Sequence, residues 1–428
     1  MNLPEQINSA HIDASWLARW VEAINGDQAC QYNGRKFNGA IAIVIENSRH
    51  VIKVNAGKIT ELISDTTILE PSAFTLNAAQ DVWAELFAPD PKPMRQAFFA
   101  AIGVGDMQVE GDLRPLFQQM TTLSEWLRVG RELNGKPTIA PDPVWPDEFQ
   151  AVGRYQTVEV DGVKHKVFYF EAGEGIPVLC QHTAGNENRQ WRHLLEDREL
   201  TQKYRFIAYD LPAHGKSDPP YSDDFHKKDL LLTSDWITKF VANFSDSLGL
   251  ENPIFIGCSI GGVIACHLAE KYPEKFRGLI GMAGTVPTYG FFHDWWIDPA
   301  VNAPLMLPGV VDAVMPPGIS AHDRQINRMC QSAHPQAMRS DLYFWGVENT
   351  DQDRAGRIDA DKVPLYLFAG EYDFTCPPEW IEQTAASMSG TAHYQMLEGL
   401  GHFPMSEDYT LFRPTLVKTL DEIAANAE

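Results

Sequence analysis

One short stretch limits the possible architectures of this chain more than any other: Gly257-Cys258-Ser259-Ile260-Gly261-Gly262. The apolar run Pro253-Ile254-Phe255-Ile256 precedes it, and a helically patterned run from Val263 to Glu270 follows. The pattern predicts a buried strand, a tight turn and a helix, with a serine at the apex. Small neighbours are needed there because a chain that doubles back this sharply leaves no room for side chains and strains the backbone. A serine hydroxyl alone is a weak nucleophile. It needs an imidazole to take its proton and a carboxylate to orient that imidazole. Two later stretches supply both. Asp373 lies in Gly370-Glu371-Tyr372-Asp373, just past the strand-like run Val363–Ala369. His402 lies in Gly401-His402-Phe403-Pro404, after the strand-like run Tyr394–Leu397. Loops at the C-terminal ends of parallel strands are where open α/β sheets place their sites. Ser259, Asp373 and His402 are therefore the predicted catalytic set.

Upstream residues extend the pattern. Ile176–Gln181 reads as a strand, followed by His182-Thr183-Ala184-Gly185-Asn186, a loop suited to presenting a backbone N–H to an oxyanion. A second N–H would come from Ile260, the residue after the serine. Arg205–Asp210 reads as the next strand and leads into Leu211-Pro212-Ala213-His214-Gly215-Lys216-Ser217. On these residues, from Val158 to about Ala427, the chain resembles the α/β-hydrolase superfamily. Its esterase, lipase-like and carbon–carbon-bond-hydrolase members carry His-Gly in the first loop and Asp-x-x-Gly-x-Gly-x-Ser in the second. Thr183 and Ala213 stand where those families have glycine. The resemblance implies Ala184 as the first oxyanion donor with Thr183 second. Ser259 argues against the epoxide hydrolases and haloalkane dehalogenases of the superfamily, which place an aspartate at this turn.

Composition narrows the partners. The net charge of −22 repels phosphate backbones and anionic membranes, so nucleic-acid binding is not expected. The start, Met1-Asn2-Leu3-Pro4-Glu5-Gln6, lacks a basic and apolar leader, and no apolar run reaches about 18 residues, so neither signal peptide nor membrane span is expected. Six scattered cysteines form no C-x-x-C and no zinc spacing with histidine; they read as free thiols of a cytoplasmic protein without metal or organic cofactor.

A proline-rich stretch over residues 135–150 reads as a connector between a unit at 1–134 and the hydrolase-like unit at 151–428. In the first unit, Trp16, Leu17, Trp20, Val21 and Ile24 have helical spacing with Asp13 as N-cap. Strands are predicted at 39–45, 50–54 and 58–63, then helical segments around 79–88 and 93–102, and a closing helix through Phe117, Met120, Leu123 and Leu127. This layout, with Val109-Glu110-Gly111-Asp112-Leu113, resembles a sterol-carrier-type lipid-binding domain, which implies an apolar groove. The alternative is that Trp16, Trp20, Trp83, Phe87, Phe98 and Phe99 fill a small α+β core. An insertion at about 286–357 reads as a helical cap rich in large apolar side chains. Its Trp295, Trp296, Met306 and Trp345, together with His182, are the candidates for contacting substrate, and they suggest a medium-sized hydrophobic or aromatic one. The expectation is an α/β fold with a helical cap, behind a small α+β unit, acting as a serine carboxylesterase on an ester, lactone or thioester. A carbon–carbon-bond hydrolase of a ring-cleavage product and a non-catalytic lipid or ligand binder are the alternatives. An apolar groove on the first unit would seek cover, so a homodimer is expected.

Overall fold

The computed structural model describes residues 11–144, 148–220, 227–332 and 335–425. Residues 1–6, on which the expectation of no signal peptide rested, and part of the expected connector, residues 145–147, lie outside the described residues. The chain divides into two compact units, one of residues 1–140 with 299–318 and the other of residues 141–298 with 319–428.

In the first unit Asp13 caps the helix Ala14–Gly26, its carboxylate accepting from the Trp16 N–H at 2.8 Å. The apolar face of that helix, Trp16, Leu17, Trp20 and Ile24, is buried. Five strands follow: β1 (Gly39–Ile45), β2 (Ser48–Asn55), β3 (Lys58–Ile63), β4 (Phe74–Ala78) and β5 (Met107–Gly111), in the order β3-β2-β1-β4-β5. The β1–β4 pair is parallel and the other pairs are antiparallel. Trp16, Trp20, Trp83, Phe87 and Phe98 are buried in one cluster, and half-buried Phe99 packs edge-on to Phe117. Each of three indoles has an acceptor: Trp16 donates to Asn134 Oδ1 at 2.9 Å, Trp20 to the Trp126 carbonyl at 2.8 Å and Trp83 to the Val44 carbonyl at 2.9 Å. These aromatics act as core, which is the packing alternative raised from the sequence.

Residues 299–318, expected in the cap, belong instead to this first unit. Their helix, Ala303–Ala313, has Pro304 in its first turn and is apolar over most of its surface; such a helix must be covered. It packs on the helix Met120–Asn134. The Thr121 hydroxyl donates to the Leu305 carbonyl at 2.7 Å, Ser124 to Asp312 Oδ2 at 2.6 Å, and Gln96 Nε2 to the Ala313 carbonyl at 2.8 Å. Met306, Leu307, Val311 and Ala313 are buried. At its exit the Ala140 N–H donates to the Gly318 carbonyl at 2.7 Å.

The second unit is built on eight strands: β6 (Val152–Val160), β7 (Val163–Ala172), β8 (Ile176–Gln181), β9 (Tyr204–Tyr209), β10 (Ile254–Cys258), β11 (Gly278–Met282), β12 (Leu365–Gly370) and β13 (Ala392–Leu397). Their order is β13-β12-β11-β10-β8-β9-β7-β6. Pairs from β13 to β9 are parallel, and β7 is antiparallel to both β9 and β6. Every residue of β10, β11 and β12 is buried, as the continuous apolar runs of a two-sided parallel sheet require. The chain proceeds from β8 outward to β9 and later returns to the other side of β8 as β10. The switch point between β8 and β10 is where such sheets open a crevice. Of the expected cap, residues 286–298 and 319–357 stay with this unit, including helices Ala321–Ser332 and Pro335–Tyr343.

Candidate active site

Ser259 sits between β10 and the helix Ile260–Lys271 with φ +58° and ψ −115°, a conformation that a side chain rarely adopts. Its surroundings hold it there. The Ser259 N–H donates to the Met282 carbonyl at 2.8 Å, and its carbonyl accepts from the Val263 N–H at 3.0 Å. A Cβ on Gly257 would lie 2.5 Å from the Gly261 carbonyl oxygen, so a glycine before the apex lets the strand and helix close on each other.

Asp373, fully buried beyond β12, and His402, beyond β13, meet: His402 Nδ1 donates to Asp373 Oδ2 at 2.6 Å. The other carboxylate oxygen, Oδ1, accepts from the Thr375 N–H at 2.9 Å, the Thr375 hydroxyl at 2.7 Å and the Cys376 N–H at 3.3 Å. A neutral imidazole with its proton on Nδ1 leaves Nε2 free to accept one. The buried Cys258 thiol donates to the His402 carbonyl at 2.9 Å, which ties the residue before Ser259 to the backbone of the histidine. Burial pushes the Cys258 and Cys376 thiols well above their ordinary range, so both are neutral. All six cysteines are unpaired and buried.

A carboxylate not singled out from the sequence steadies the histidine loop. Glu407 accepts from the Gly401 N–H at 2.6 Å and from the Phe403 N–H at 2.8 Å, gripping the amides on both sides of His402. Burial raises its carboxyl from 4.5 to about 8, against the pull of those two hydrogen bonds. The folded chain therefore holds this proton more tightly than the unfolded chain, and stability falls as pH rises between 4.5 and about 8. Glu407→Gln has no such proton. Thermal melts from pH 5 to 8 should shift the Tm difference steadily in favour of the glutamine variant, and parallel Tm curves would rule the raised value out.

In the loop after β8, the structure separates the two proposed oxyanion donors. The Thr183 N–H donates to Gln190 Oε1 at 2.8 Å and is therefore occupied, which removes Thr183 as an oxyanion donor. The Ala184 N–H has no acceptor among the described residues, and the Ile260 N–H, at the first position of its helix, lacks an intrahelical acceptor.

The structure places the substrate-contact candidates as follows. His182 is fully buried, with Nδ1 donating to the Thr183 carbonyl at 2.7 Å and Nε2 accepting from the Leu211 N–H at 3.1 Å, so its ring braces backbone. Trp296 and Trp345 are buried, their indole N–H groups donating to the Phe291 carbonyl at 2.7 Å and the Tyr289 carbonyl at 3.3 Å. Half-buried Trp295 packs against His293 with ring centroids 4.0 Å apart and the planes tilted by 42°. Met306 lies in the helix that belongs to the first unit. Among the described residues, no group of three or more His, Cys, Asp or Glu side chains is arranged to hold a metal ion, and no helix is long and apolar enough to cross a membrane.

The family model for the alpha/beta hydrolase fold matches residues 176–317. Over 132 residues the chain is 33% identical to epoxide hydrolase 4 of Mus musculus, covering 30% of this chain and 34% of that protein. It thus spans about a third of that relative's length. Over 247 residues it is 25% identical to the strigolactone esterase of Arabidopsis thaliana, covering 54% of this chain and 88% of that one. Among solved structures, a thermophilic esterase from Thermogutta terrifontis superposes with a TM-score of 0.54 at 18% identity, over 64% of this chain and 99% of that chain. The enol-lactonase from Burkholderia xenovorans gives 0.52 at 17% identity, over 63% and 100%. Sheet order, strand directions and these likenesses agree: the fold is that of the α/β hydrolases.

Proposed function

We propose that the second unit is a serine hydrolase that cleaves a carboxylic ester, lactone or thioester of a medium-sized hydrophobic or aromatic substrate through an acyl-enzyme. The observation that carries this reading is the His402 Nδ1–Asp373 Oδ2 hydrogen bond of 2.6 Å, on a loop bonded through the Cys258 thiol to the strand end that presents Ser259. Asp373 keeps the proton of His402 on Nδ1. Nε2 takes the Ser259 proton as Oγ attacks the carbonyl carbon, and returns it to the leaving oxygen or sulfur. The negative charge that develops on the carbonyl oxygen is met by the N–H groups of Ala184 and Ile260. A water deprotonated by His402 then attacks the acyl carbon, and the acid leaves with Ser259 reprotonated. The esterase name of the Arabidopsis thaliana relative favours this chemistry.

The test is a panel of esters, lactones and thioesters graded in acyl and alcohol size, run with wild type and Ser259→Ala. Saturable turnover by wild type, absent from the variant, is the expected result. Turnover confined to a vinylogous diketone would move the reading to carbon–carbon-bond cleavage, and stoichiometric binding without product would make the unit a receptor.

A further inference from the structure

The loop that carries Ala184 has Thr183 where the resembling families have glycine, and its anchor comes from the second half of the cap. The Gly185 N–H donates to Asp341 Oδ2 at 2.8 Å; Asp341 lies in the helix Pro335–Tyr343. Gly185 itself has φ +60°, and a Cβ there would lie 2.7 Å from the Cβ of Met338 on the same helix, so helix and loop are in direct contact.

The same Asp341 oxygen is bonded to His214 Nε2 at 2.9 Å, and His214 Nδ1 is bonded to the Pro212 carbonyl at 3.1 Å. With acceptors at both ring nitrogens, the imidazole of His214 is a double donor, that is, an imidazolium. The pair is shut away from water, with side-chain exposures of 2% for His214 and 1% for Asp341. Burial opposes the charge on His214, but the Asp341 carboxylate, its hydrogen bond, the Pro212 carbonyl and the more distant Asp210 outweigh it, leaving the group above its ordinary range. The neighbouring His182 ring, 5.0 Å away between centroids, accepts the Leu211 N–H and so is the neutral partner of the two. Breaking one side of a buried ion pair leaves an uncompensated charge, so this carboxylate has little freedom to wander.

We propose that Asp341, held by the imidazolium of His214, is a positioning residue that aims the oxyanion loop. By fixing the Gly185 N–H it holds the peptide that follows Ala184 in the turn closed by the Asn186 N–H on the Thr183 carbonyl at 3.2 Å; the Ala184 N–H belongs to the preceding peptide of that turn and is aimed through it. This rests on the serine-hydrolase reading of Ser259. A misaimed donor weakens the transition state and leaves the ground state alone, so the signature lies in kcat and not in KM.

The experiment compares full-length wild type, Asp341→Ala, Asp341→Asn and Ser259→Ala on one small activated ester, with folding followed by circular dichroism. Binding of a trifluoromethyl ketone is measured alongside; Ser259 Oγ adds to its carbonyl carbon, the serine hydroxyl proton passes to His402, and the former carbonyl oxygen becomes an oxyanion in the hole. Loss of an oxyanion donor lowers kcat by about 10²-fold or more. Asp341→Ala should approach that loss with KM nearly unchanged, and its ketone affinity should weaken in step with kcat/KM. Asp341→Asn keeps an acceptor for Gly185 without the charge and should fall between alanine and wild type. If the alanine variant does not fold, the same kcat and ketone comparison on the asparagine variant decides. Wild-type kcat and ketone affinity in Asp341→Ala, or a loss confined to KM, overturns the positioning role while Ser259→Ala remains inactive. An active Ser259→Ala would instead overturn the reading beneath it.

Discussion

Alanine at Ser259 should lower kcat by ~10³-fold or more while leaving the thermal transition near that of wild type. The size of the loss follows from how such residues act: the nucleophile, the base and the carboxylate work as one unit, so removing one forfeits nearly the whole contribution. The fold should survive because alanine keeps the Cβ and meets the same strained φ of +58°, and because the backbone bonds to Met282 and Val263 do not involve the hydroxyl. Labelling by a covalent phosphonate should vanish with activity. A variant that kept near-native turnover, or was labelled as fully as wild type, would show that the reacting oxygen lies elsewhere.

The second large effect is expected from deleting residues 1–134. The helix Ala303–Ala313 would lose the helix Met120–Asn134 beneath it, and Met306, Leu307 and Val311 would face water. Each of these side chains gains about 1.5–3 kcal/mol from burial. Three of them exposed on one helix make an apolar patch of the kind that drives association. The truncated protein should therefore aggregate on expression or elute in the void on gel filtration. A well-behaved monomer with unchanged kinetics on small and large esters would show that the segment finds another cover and that the first unit is dispensable.

The strands that carry Ser259 and Asp373 were legible because each is a short apolar run closing on glycine, the pattern that a buried parallel strand must have, whereas β13 before His402 is an edge strand with His393 and Gln395 in it. The hairpin of β6 and β7 was not: residues 152–157 of β6 are mostly exposed at the sheet edge, so apolar periodicity is lost where Tyr155 and Val152 face outward. Helix Ala14–Gly26 was read with its cap because Asp13 and a 3.6-residue apolar period coincide. At the candidate site, the residues visible in advance were those of one local motif each. Glu407, Gln190 and Asp341 act through hydrogen bonds to backbone amides that are distant in sequence or chemically unremarkable, and no spacing announces them. Thr183 failed as a donor for the same reason, since its amide is claimed by a glutamine seven residues on. The apolar cap residues misled because apolarity marks burial without naming what does the burying. Met306, expected in the cap as a substrate contact, is buried in the first unit.

That discontinuity has a bearing on synthesis. A ribosome delivers residues 1–140 first, yet their compact unit lacks residues 299–318 until all of 141–298 has been translated. At about 5–20 residues per second, the interval is roughly ten to thirty seconds. Throughout it the surface of Met120–Asn134 that receives Ala303–Ala313 waits open on the nascent chain. The first unit is thus first to emerge and among the last to be finished, and the interval is when trigger-type holdases would have most to protect.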